Sequence, residues 1–136
     1  MTFSLHPKLA EDSLPIVALA LCDVRLMNDR RFPWCIVVPR LQNLRELHDV
    51  PDAQQAGLFA EIVATSRALD RVAGAEKINV AALGNIVAQL HVHVIARFSH
   101  DAAWPAPVWG FGSAEPYENA QTLISALISE LKPATD

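Results

Sequence analysis

The stretch QLHVHVIARF, residues 89–98, places two histidines two positions apart, with an aliphatic residue on either side of each. Side chains of a β-strand point alternately to its two faces, so this spacing predicts a strand with His91 and His93 on one face. The opposite face is apolar and consists of Leu90, Val92 and Val94. A chain with this stretch therefore requires a sheet with an apolar face against the core and a second face that carries imidazoles.

The second face of this predicted strand carries a row of polar groups. Its members are Gln89, His91, His93 and Arg97, with Ile95 among them. An amide, two imidazoles and a guanidinium can together hold an anion, which favours phosphate chemistry. Two other interpretations stay open: a polar outer face without a site, and a metal site, because His-x-His is a usable ligand pair. The candidates for further metal ligands are His48, His100, Asp101 and Glu61.

Five segments outside the helices have predicted conformations. They are an irregular lead-in with one short helical turn at 1–15, one long strand or two short strands with a bend at 16–28, a buried strand at 34–40, and an antiparallel pair at 77–83 and 89–98. Pro39 ends the strand at 34–40, because proline lacks a donor for the sheet. Gly84-Asn85 forms the turn between the paired strands.

Two segments have apolar residues at helical spacing. The first begins at Asp49 or Asp52 and ends at Gly74. Its apolar stripe consists of Phe59, Ile62, Val63, Ser66, Leu69 and Val72. The second covers about 116–131 before Pro133, with a stripe that consists of Tyr117, Ala120, Ile124, Leu127, Ile128 and Leu131. The order of these elements predicts an α+β fold, with a mostly antiparallel sheet, a central helix and a C-terminal helix.

Length and composition restrict the class of protein. The 136 residues suit one domain, 1–136, with its core at about 16–98 and a C-terminal loop and helix at 99–136. A net charge of −4 argues against nucleic acid as a partner. Cys22 and Cys35 lie in apolar surroundings and predict buried thiols rather than a disulfide or metal site. No secretory signal or membrane-spanning segment is evident, so we expect a cytoplasmic protein without a membrane partner.

Residues 90–97, LHVHVIAR, resemble the signature of the histidine triad (HIT) superfamily, His-φ-His-φ-His-φ-φ, in which φ is apolar. The resemblance covers roughly residues 20–98. The upstream residues that also match are Asn28, Ile36-Val37-Val38-Pro39-Arg40 and Gly84-Asn85. It implies a nucleotide hydrolase or transferase that acts on dinucleoside polyphosphates, nucleoside phosphoramidates or adenylylated compounds. It also implies a homodimer whose sheets join across the interface.

The resemblance implies a role for each matching residue. His91 is the nucleophile, and His93 supports the phosphate and the covalent intermediate. Asn28 holds the ribose. Gly84 allows backbone amides to approach a phosphate closely, and Asn85 contacts the phosphate. This chemistry requires no metal or other cofactor, because a neutral imidazole can attack phosphorus directly.

Four positions depart from the family's pattern. They are Gln89 in place of the first histidine, Trp34 and Gln42 at positions that are often histidine, and Ile86 in place of a serine or threonine. Gln89 is expected at the catalytic site as a hydrogen-bond donor, with Gln42 and Arg97 in the substrate-binding set and Arg40 as a further candidate. An amide cannot deliver a proton, whereas a phosphate leaving group departs without full protonation. We therefore expect phosphoanhydrides to be preferred over phosphoramidates.

Two other functions remain compatible with these residues. One is a binding module that holds a nucleotide without turnover, its triad having decayed at Gln89. The other is a metal-dependent enzyme that uses His91 and His93. The segment from Trp104 to Trp109 predicts either an aromatic loop that covers the sheet or a wall that stacks on the nucleobase or reaches the partner subunit's site.

Overall fold

One five-stranded sheet organises the molecule, and the computed structural model describes residues 2–131. The strands are β1 (Ser13–Ala18), β2 (Cys22–Met27), β3 (Trp34–Pro39), β4 (Lys77–Ala81) and β5 (Val92–Arg97). Their spatial order is β1-β2-β3-β5-β4, and every neighbouring pair is antiparallel. The predicted α+β class with an antiparallel sheet is confirmed.

The N-terminal region is more regular than the sequence predicts. A short helix, α1 (Pro7–Asp12), begins where the His6 side chain accepts a hydrogen bond from the Lys8 N–H at 3.0 Å. The strand β1 starts directly after it at Ser13, so the expectation of an irregular lead-in as far as residue 15 was wrong apart from its helical turn. Of the two interpretations of residues 16–28, two short strands separated by a bend is correct.

The long central helix, α2 (Asp52–Ala73), ends as predicted at Gly74, which has a left-handed φ of 66°. Its predicted stripe was wrong at Phe59, which is 68% exposed. The buried residues of the helix are Leu58, Thr65, Ala68 and Leu69. Residues three and four positions apart share a helix face, so the apolar pattern did not decide between Leu58 and Phe59 as the first buried position.

The C-terminal helix, α3 (Gln121–Leu131), begins later than residue 116. The side chain of Asn119 accepts a hydrogen bond from the Gln121 N–H at 2.9 Å, which marks the start of the helix. Tyr117 and Ala120 pack against the same core, although they precede the helix. The predicted stop at Pro133 lies outside the described residues.

The sheet has a different covering on each face. The helix-side core packs α2 and α3 on the sheet, and its buried strand members are Ile16, Cys22, Val24, Leu26, Cys35, Val37, Val92, Val94 and Ala96. The predicted burial of Leu90, Val92 and Val94 on this side is confirmed. The loop-side core covers the other face and consists of Leu9, Phe32, Trp34, Ile36, Val38, Val87, Ile95, Ala103 and Val108. Both cysteines are buried free thiols.

The connection between β4 and β5 differs from the predicted tight turn. The strand β4 ends at Ala81 and β5 begins at Val92, so residues 82–91 form a long loop with Gly84 inside it. The predicted strand at 89–98 was therefore too long at its start, and His91 precedes the ladder. Within residues 2–131, no helix is both long and apolar enough to cross a membrane.

Candidate active site

The His91 ring is held by the backbone of its own loop. Its Nδ1 lies 2.7 Å from the carbonyl oxygen of Gln89. A carbonyl only accepts hydrogen bonds, so Nδ1 carries the ring proton and Nε2 carries the lone pair. A backbone carbonyl of the preceding loop, rather than a neighbouring strand, therefore orients the ring. His91 is 6% exposed, yet it lines two cavities.

His93 occupies the middle of the sheet. On β5 it is paired with Ile36 of β3 on one side and Ala81 of β4 on the other. Burial, followed by the proximity of His91, lowers the pKa of His93 to about 3. The two imidazole rings lie edge to face with their centroids 4.8 Å apart. His93 is therefore a neutral ring beside the ring that offers a lone pair.

Trp34 contacts His93 directly. Its indole Nε1 donates a hydrogen bond to Nδ1 of His93 at 2.9 Å, and both side chains are buried. The ring of Trp109 approaches His93 from another side, edge to face, at a centroid distance of 5.2 Å. The indole N–H of Trp109 is buried and has no hydrogen-bond partner among the described residues.

Two adjacent cavities extend from the histidines along the loop-side face. The first, about 290 Å³, contains both His91 and His93. The second, about 480 Å³, contains Asn28 and Asp29. The two share the lining residues Lys8, Asp12, Met27, Trp34, Trp109 and Gly110. A ligand with an anionic end and a nucleoside end can lie across both.

The loop before β5 forms part of the first cavity. Gly84 has a positive φ of 78°, a conformation that residues with a side chain rarely adopt. Gly84 and Asn85 both line the cavity with His91, and their contact with a phosphate stays a prediction. Ile86 follows them and is 84% exposed, although it is a large apolar side chain.

Asn28 is oriented by a backbone contact. Its Oδ1 accepts a hydrogen bond from the Tyr117 N–H at 2.9 Å, so the amide nitrogen is left as the group that can donate to a ligand. The next residue, Asp29, is buried and pairs with Arg31 at 2.8 Å. Burial raises the pKa of Asp29, but its hydrogen bonds from Arg31 and Glu115 outweigh burial and lower it below the ordinary value.

The Gln89 and Gln42 side chains bind the N-terminal segment. Gln89 Oε1 accepts from the His6 N–H at 2.8 Å, and its Nε2 donates to the Ser4 carbonyl at 2.8 Å. Gln42 Nε2 donates to the Thr2 carbonyl at 2.6 Å. Gln42 does not line either cavity on the loop-side face, whereas the Gln89 carbonyl orients His91. Contact of the Gln89 amide with a leaving group stays a prediction.

Arg97 lies away from the cavities, which argues against the predicted role in substrate binding. It is 2% exposed and pairs with Asp101 at 2.8 Å, and it also donates to Asn79 and the Ala106 carbonyl. The alternation of side chains along the strand correctly predicts that Arg97 shares a face with His93. The two are four residues apart, which is about 13 Å along a strand. The loop after β5 covers the sheet at Arg97, so the guanidinium binds and stabilises that loop.

The metal-binding alternative requires ligands beyond His91 and His93. Within residues 2–131, no group of three or more His, Cys, Asp or Glu side chains is arranged to hold a metal ion. Two predicted ligands are occupied elsewhere: Asp101 binds Arg97, and the Glu61 carboxylate accepts from the Leu21 and Cys22 N–H groups. The donor set therefore does not fit the metal-dependent alternative.

Some lining residues were not predicted from the sequence. Lys8 and Asp12 of α1 reach both cavities, and nothing in their local sequence indicates this. The two tryptophans of the segment from Trp104 to Trp109 have different surroundings, and stacking on a nucleobase stays a prediction. Trp104 lies over the Arg97 guanidinium at 5.7 Å and so covers the sheet, whereas Trp109 forms a wall of the cavities.

Comparison with known proteins agrees with this geometry. A sequence model of the HIT domain matches residues 10–100. A crystal structure of a histidine triad protein from Sinorhizobium meliloti is 48% identical, covers 95% of this chain and 97% of its own, and has a TM-score of 0.92. A histidine triad protein from Bradyrhizobium japonicum is 44% identical, with 96% and 99% covered and a TM-score of 0.94. One from Marinobacter aquaeolei is 43% identical, with 97% and 98% covered and a TM-score of 0.93. No curated protein matches significantly. The chain belongs to the HIT family.

Proposed function

We propose that this HIT protein cleaves a nucleotide phosphoanhydride, such as a dinucleoside polyphosphate, through a covalent nucleotidyl intermediate on His91. The observation that carries the proposal is the hydrogen bond from His91 Nδ1 to the Gln89 carbonyl at 2.7 Å. In the neutral ring it puts the lone pair on Nε2, and His91 lines the cavity shared with His93. A neutral imidazole held in one orientation meets the requirement for nucleophilic attack.

The reaction has two displacements at the same phosphorus. In the first, the Nε2 lone pair of His91 forms a bond to phosphorus, and the bond from phosphorus to the bridging oxygen breaks. The departing phosphate takes that electron pair. In the second, water attacks phosphorus, the P–N bond breaks, and the ring nitrogen recovers its lone pair while the proton of water passes to solvent. The products are the departing nucleotide and a nucleoside monophosphate, and no atom is oxidised or reduced.

The surrounding groups are suited to the charge that develops on the phosphoryl oxygens. Neutral His93, Asn85 and the amides near Gly84 lie around the first cavity and can donate hydrogen bonds. Asn28 lies in the second cavity and can donate its amide N–H to a ribose hydroxyl. The nucleoside then lies along Trp109 and Met27, and the leaving group lies on the opposite side of phosphorus from His91.

The identity of residue 89 supports an anhydride substrate. Glutamine cannot protonate a leaving amine, and in this structure its amide also binds Ser4 and His6. Phosphate departs without full protonation, because its second pKa is about 6. Turnover of a diadenosine polyphosphate should exceed that of an adenosine phosphoramidate. Faster cleavage of the phosphoramidate would contradict this preference.

The nucleophile is tested by incubating the protein with labelled dinucleoside polyphosphates and trapping the adduct in acid-free conditions for peptide mass spectrometry. A nucleotidyl group should be found on His91, and His91→Gly should lose turnover while its circular dichroism stays unchanged. His100→Asn is the matched control, because His100 is exposed and outside the cavities, so its turnover should equal that of the wild type. Nucleotide binding without an adduct or turnover would instead indicate a binding module.

We also propose that the protein forms a homodimer through the edge of β4. This edge strand lies beside a mostly apolar groove of about 400 Å³. The exposed apolar side chains in the groove are Leu47, Phe59 and Val80, at 53%, 68% and 50% exposure. The opposite edge, β1, is protected by Pro15 and a register shift. An unprotected edge can pair with its own copy about a twofold axis.

Light scattering after size-exclusion chromatography tests the dimer. The wild type should elute as a dimer, and Val80→Asp should elute as a monomer, because a buried carboxylate at the interface would lack a partner. Ala18→Asp on the exposed side of β1 is the control and should remain dimeric. A monomeric wild type, or dissociation caused by Ala18→Asp alone, would contradict the proposal.

A further inference from the structure

We propose that Trp34 is a positioning residue that holds His93 in one neutral tautomer, with the ring proton on Nε2 and directed to the substrate. The effect on catalysis rests on the function proposed above, whereas the tautomer itself does not. The two histidines then present opposite groups to the same cavity. His91 offers a lone pair to phosphorus, and His93 offers an N–H to a phosphoryl oxygen.

The direction of the Trp34 hydrogen bond determines the tautomer. An indole nitrogen is only a donor, so Nδ1 of His93, 2.9 Å away, must be the acceptor. The proton of the neutral ring is therefore on Nε2. The same rule applied to the Gln89 carbonyl, which is only an acceptor, puts the proton of His91 on Nδ1. Both tautomers are assigned from the partner, because an indole N–H can only donate and a carbonyl oxygen can only accept a hydrogen bond.

The Trp34 indole is itself held rigidly. It is 7% exposed and packs edge to face against Phe32 at 6.4 Å and Trp109 at 6.1 Å. His93 lies on β5 between two paired strands, so its backbone cannot move away from the indole. Exchange of the His93 tautomer would leave two N–H groups facing each other in the loop-side core, which is costly in a buried site.

The same contact prevents His93 from becoming charged. Imidazolium carries protons on both nitrogens, so protonation of His93 would also set two donors against each other. Burial and the neighbouring His91 act in the same direction on the pKa of His93, which is about 3. The rings that pack against His93 are those of Trp34, Trp109 and His91. The charged residues of the same cavity are Lys8 and Asp12, which pair with each other at 2.9 Å. His93 can therefore donate a hydrogen bond across the physiological pH range but cannot shuttle a proton.

Side-chain ¹⁵N–¹H correlation spectra of the protein without substrate test the tautomer directly. The wild type should show His93 protonated on Nε2 from pH 8 to pH 5, with Nδ1 at the shift of an acceptor nitrogen. Trp34→Phe should show exchange between the two tautomers, and His93 should begin to titrate within this pH range. Trp109→Phe is the matched control, since it removes another indole in contact with His93 but should leave the tautomer unchanged.

Two results would overturn the proposal. One is a proton on Nδ1 of wild-type His93, and the other is a Trp34→Phe spectrum identical to that of the wild type. If Trp34→Phe does not fold, replacement of the Trp34 indole by benzothiophene keeps the ring shape while removing the N–H, and the same spectra decide. Failure of the proposed hydrolysis would not affect these spectra, so the two proposals fail independently.

The catalytic consequence is read from kcat, KM and the pH dependence of turnover. Trp34→Phe should lower kcat by about tenfold, which is less than the roughly 10²–10³-fold effect of deleting an oxyanion donor, because His93 remains present. KM should change less than kcat. An additional ionisation should appear on the acidic limb of the pH profile, and a uniform loss of activity without it would indicate a merely structural role.

Discussion

The two faces of the sheet are buried in different ways. The helix-side core is covered by α2 and α3 and is made of aliphatic side chains and small residues. The loop-side core is covered by α1 and by the loops before and after β5, and the buried polar residues His91, His93 and Arg97 lie on this side. Strand β5 contributes to both, since all its residues are buried.

The difference shows where a small domain can place reactive groups. Packing of helices on a sheet buries apolar surface and requires no specific partner for each side chain. The two histidines and the arginine on the loop side each have a fixed partner: Gln89 for His91, Trp34 for His93 and Asp101 for Arg97. Because a buried polar group is costly without its partner, the loop side is geometrically more determined than the helix side.

The largest effect is expected when a partner on the loop side is removed. Asp101→Asn should lower the free energy of unfolding by about 4 kcal/mol, because it leaves the buried Arg97 charge uncompensated. Glu115→Gln is the matched control, since Arg30 and Glu115 form a pair with side chains 61% and 51% exposed. That variant should lose less than about 1 kcal/mol in urea unfolding. Equal losses would show that burial does not distinguish the two pairs.

Truncation on the helix side should have a slightly smaller effect. Leu127→Ala should lower the free energy of unfolding by about 3 kcal/mol, because Leu127 is fully buried in the helix-side core and its truncation leaves a cavity. Its kcat should equal that of the wild type once both are folded. Ile128→Ala, on the partly buried side of the same helix, should cost less. A large fall in kcat for Leu127→Ala would contradict the separation of the two faces.

The pH dependence of stability should come from the loop side. The pKa of His93 is about 3 in the folded protein, below its unfolded value of about 6.5. Between these values the unfolded chain binds a proton that the folded protein does not, so stability is lost as pH falls. The expected loss between pH 6.5 and pH 4.5 is about 2 kcal/mol.

Thermal unfolding at several pH values checks this, with His93→Asn as the comparison. That variant should have a flatter profile in the same window. The pKa values of Asp29 and Asp101 are also lowered, the latter to about 2, but those carboxyls act below their ordinary value of 3.8. An unchanged slope in His93→Asn would assign the dependence to another group.

The smallest effect is expected at the border of the loop side. Gln42→Ala and Gln89→Ala should each lower the free energy of unfolding by about 1 kcal/mol, because each variant loses side-chain hydrogen bonding to the N-terminal segment. Proteolysis near Ser4 should become faster in both, but not in the Gln121→Ala control. Gln89→Ala keeps the carbonyl that orients His91, so its turnover should fall less than that of His91→Gly. Similar losses of turnover would indicate a catalytic role for the amide.

Much of the helix side was accessible from the sequence. The alternation through β5 predicted which residues enter the helix-side core, and Gly74 marked the end of α2, because these signals are local. Phe59 was misplaced because helical period alone leaves the phase of the stripe open. The loop side was less predictable. Arg97 lies on the same face of the strand as His93, but it forms an ion pair with Asp101 of the following loop.

The sequence by itself determined the antiparallel sheet, the face that carries the imidazoles and the HIT signature, because strand periodicity and residue type are local properties. Only the tertiary structure decided which atoms the histidines present to a ligand. Trp34 orients the His93 ring through a contact between two strands, and the Gln89 carbonyl orients the His91 ring through the conformation of their loop. The cavity walls from α1 and Trp109 also exist only after the chain closes over the sheet. Hydrogen-bond direction depends on three-dimensional proximity, which residue spacing does not encode.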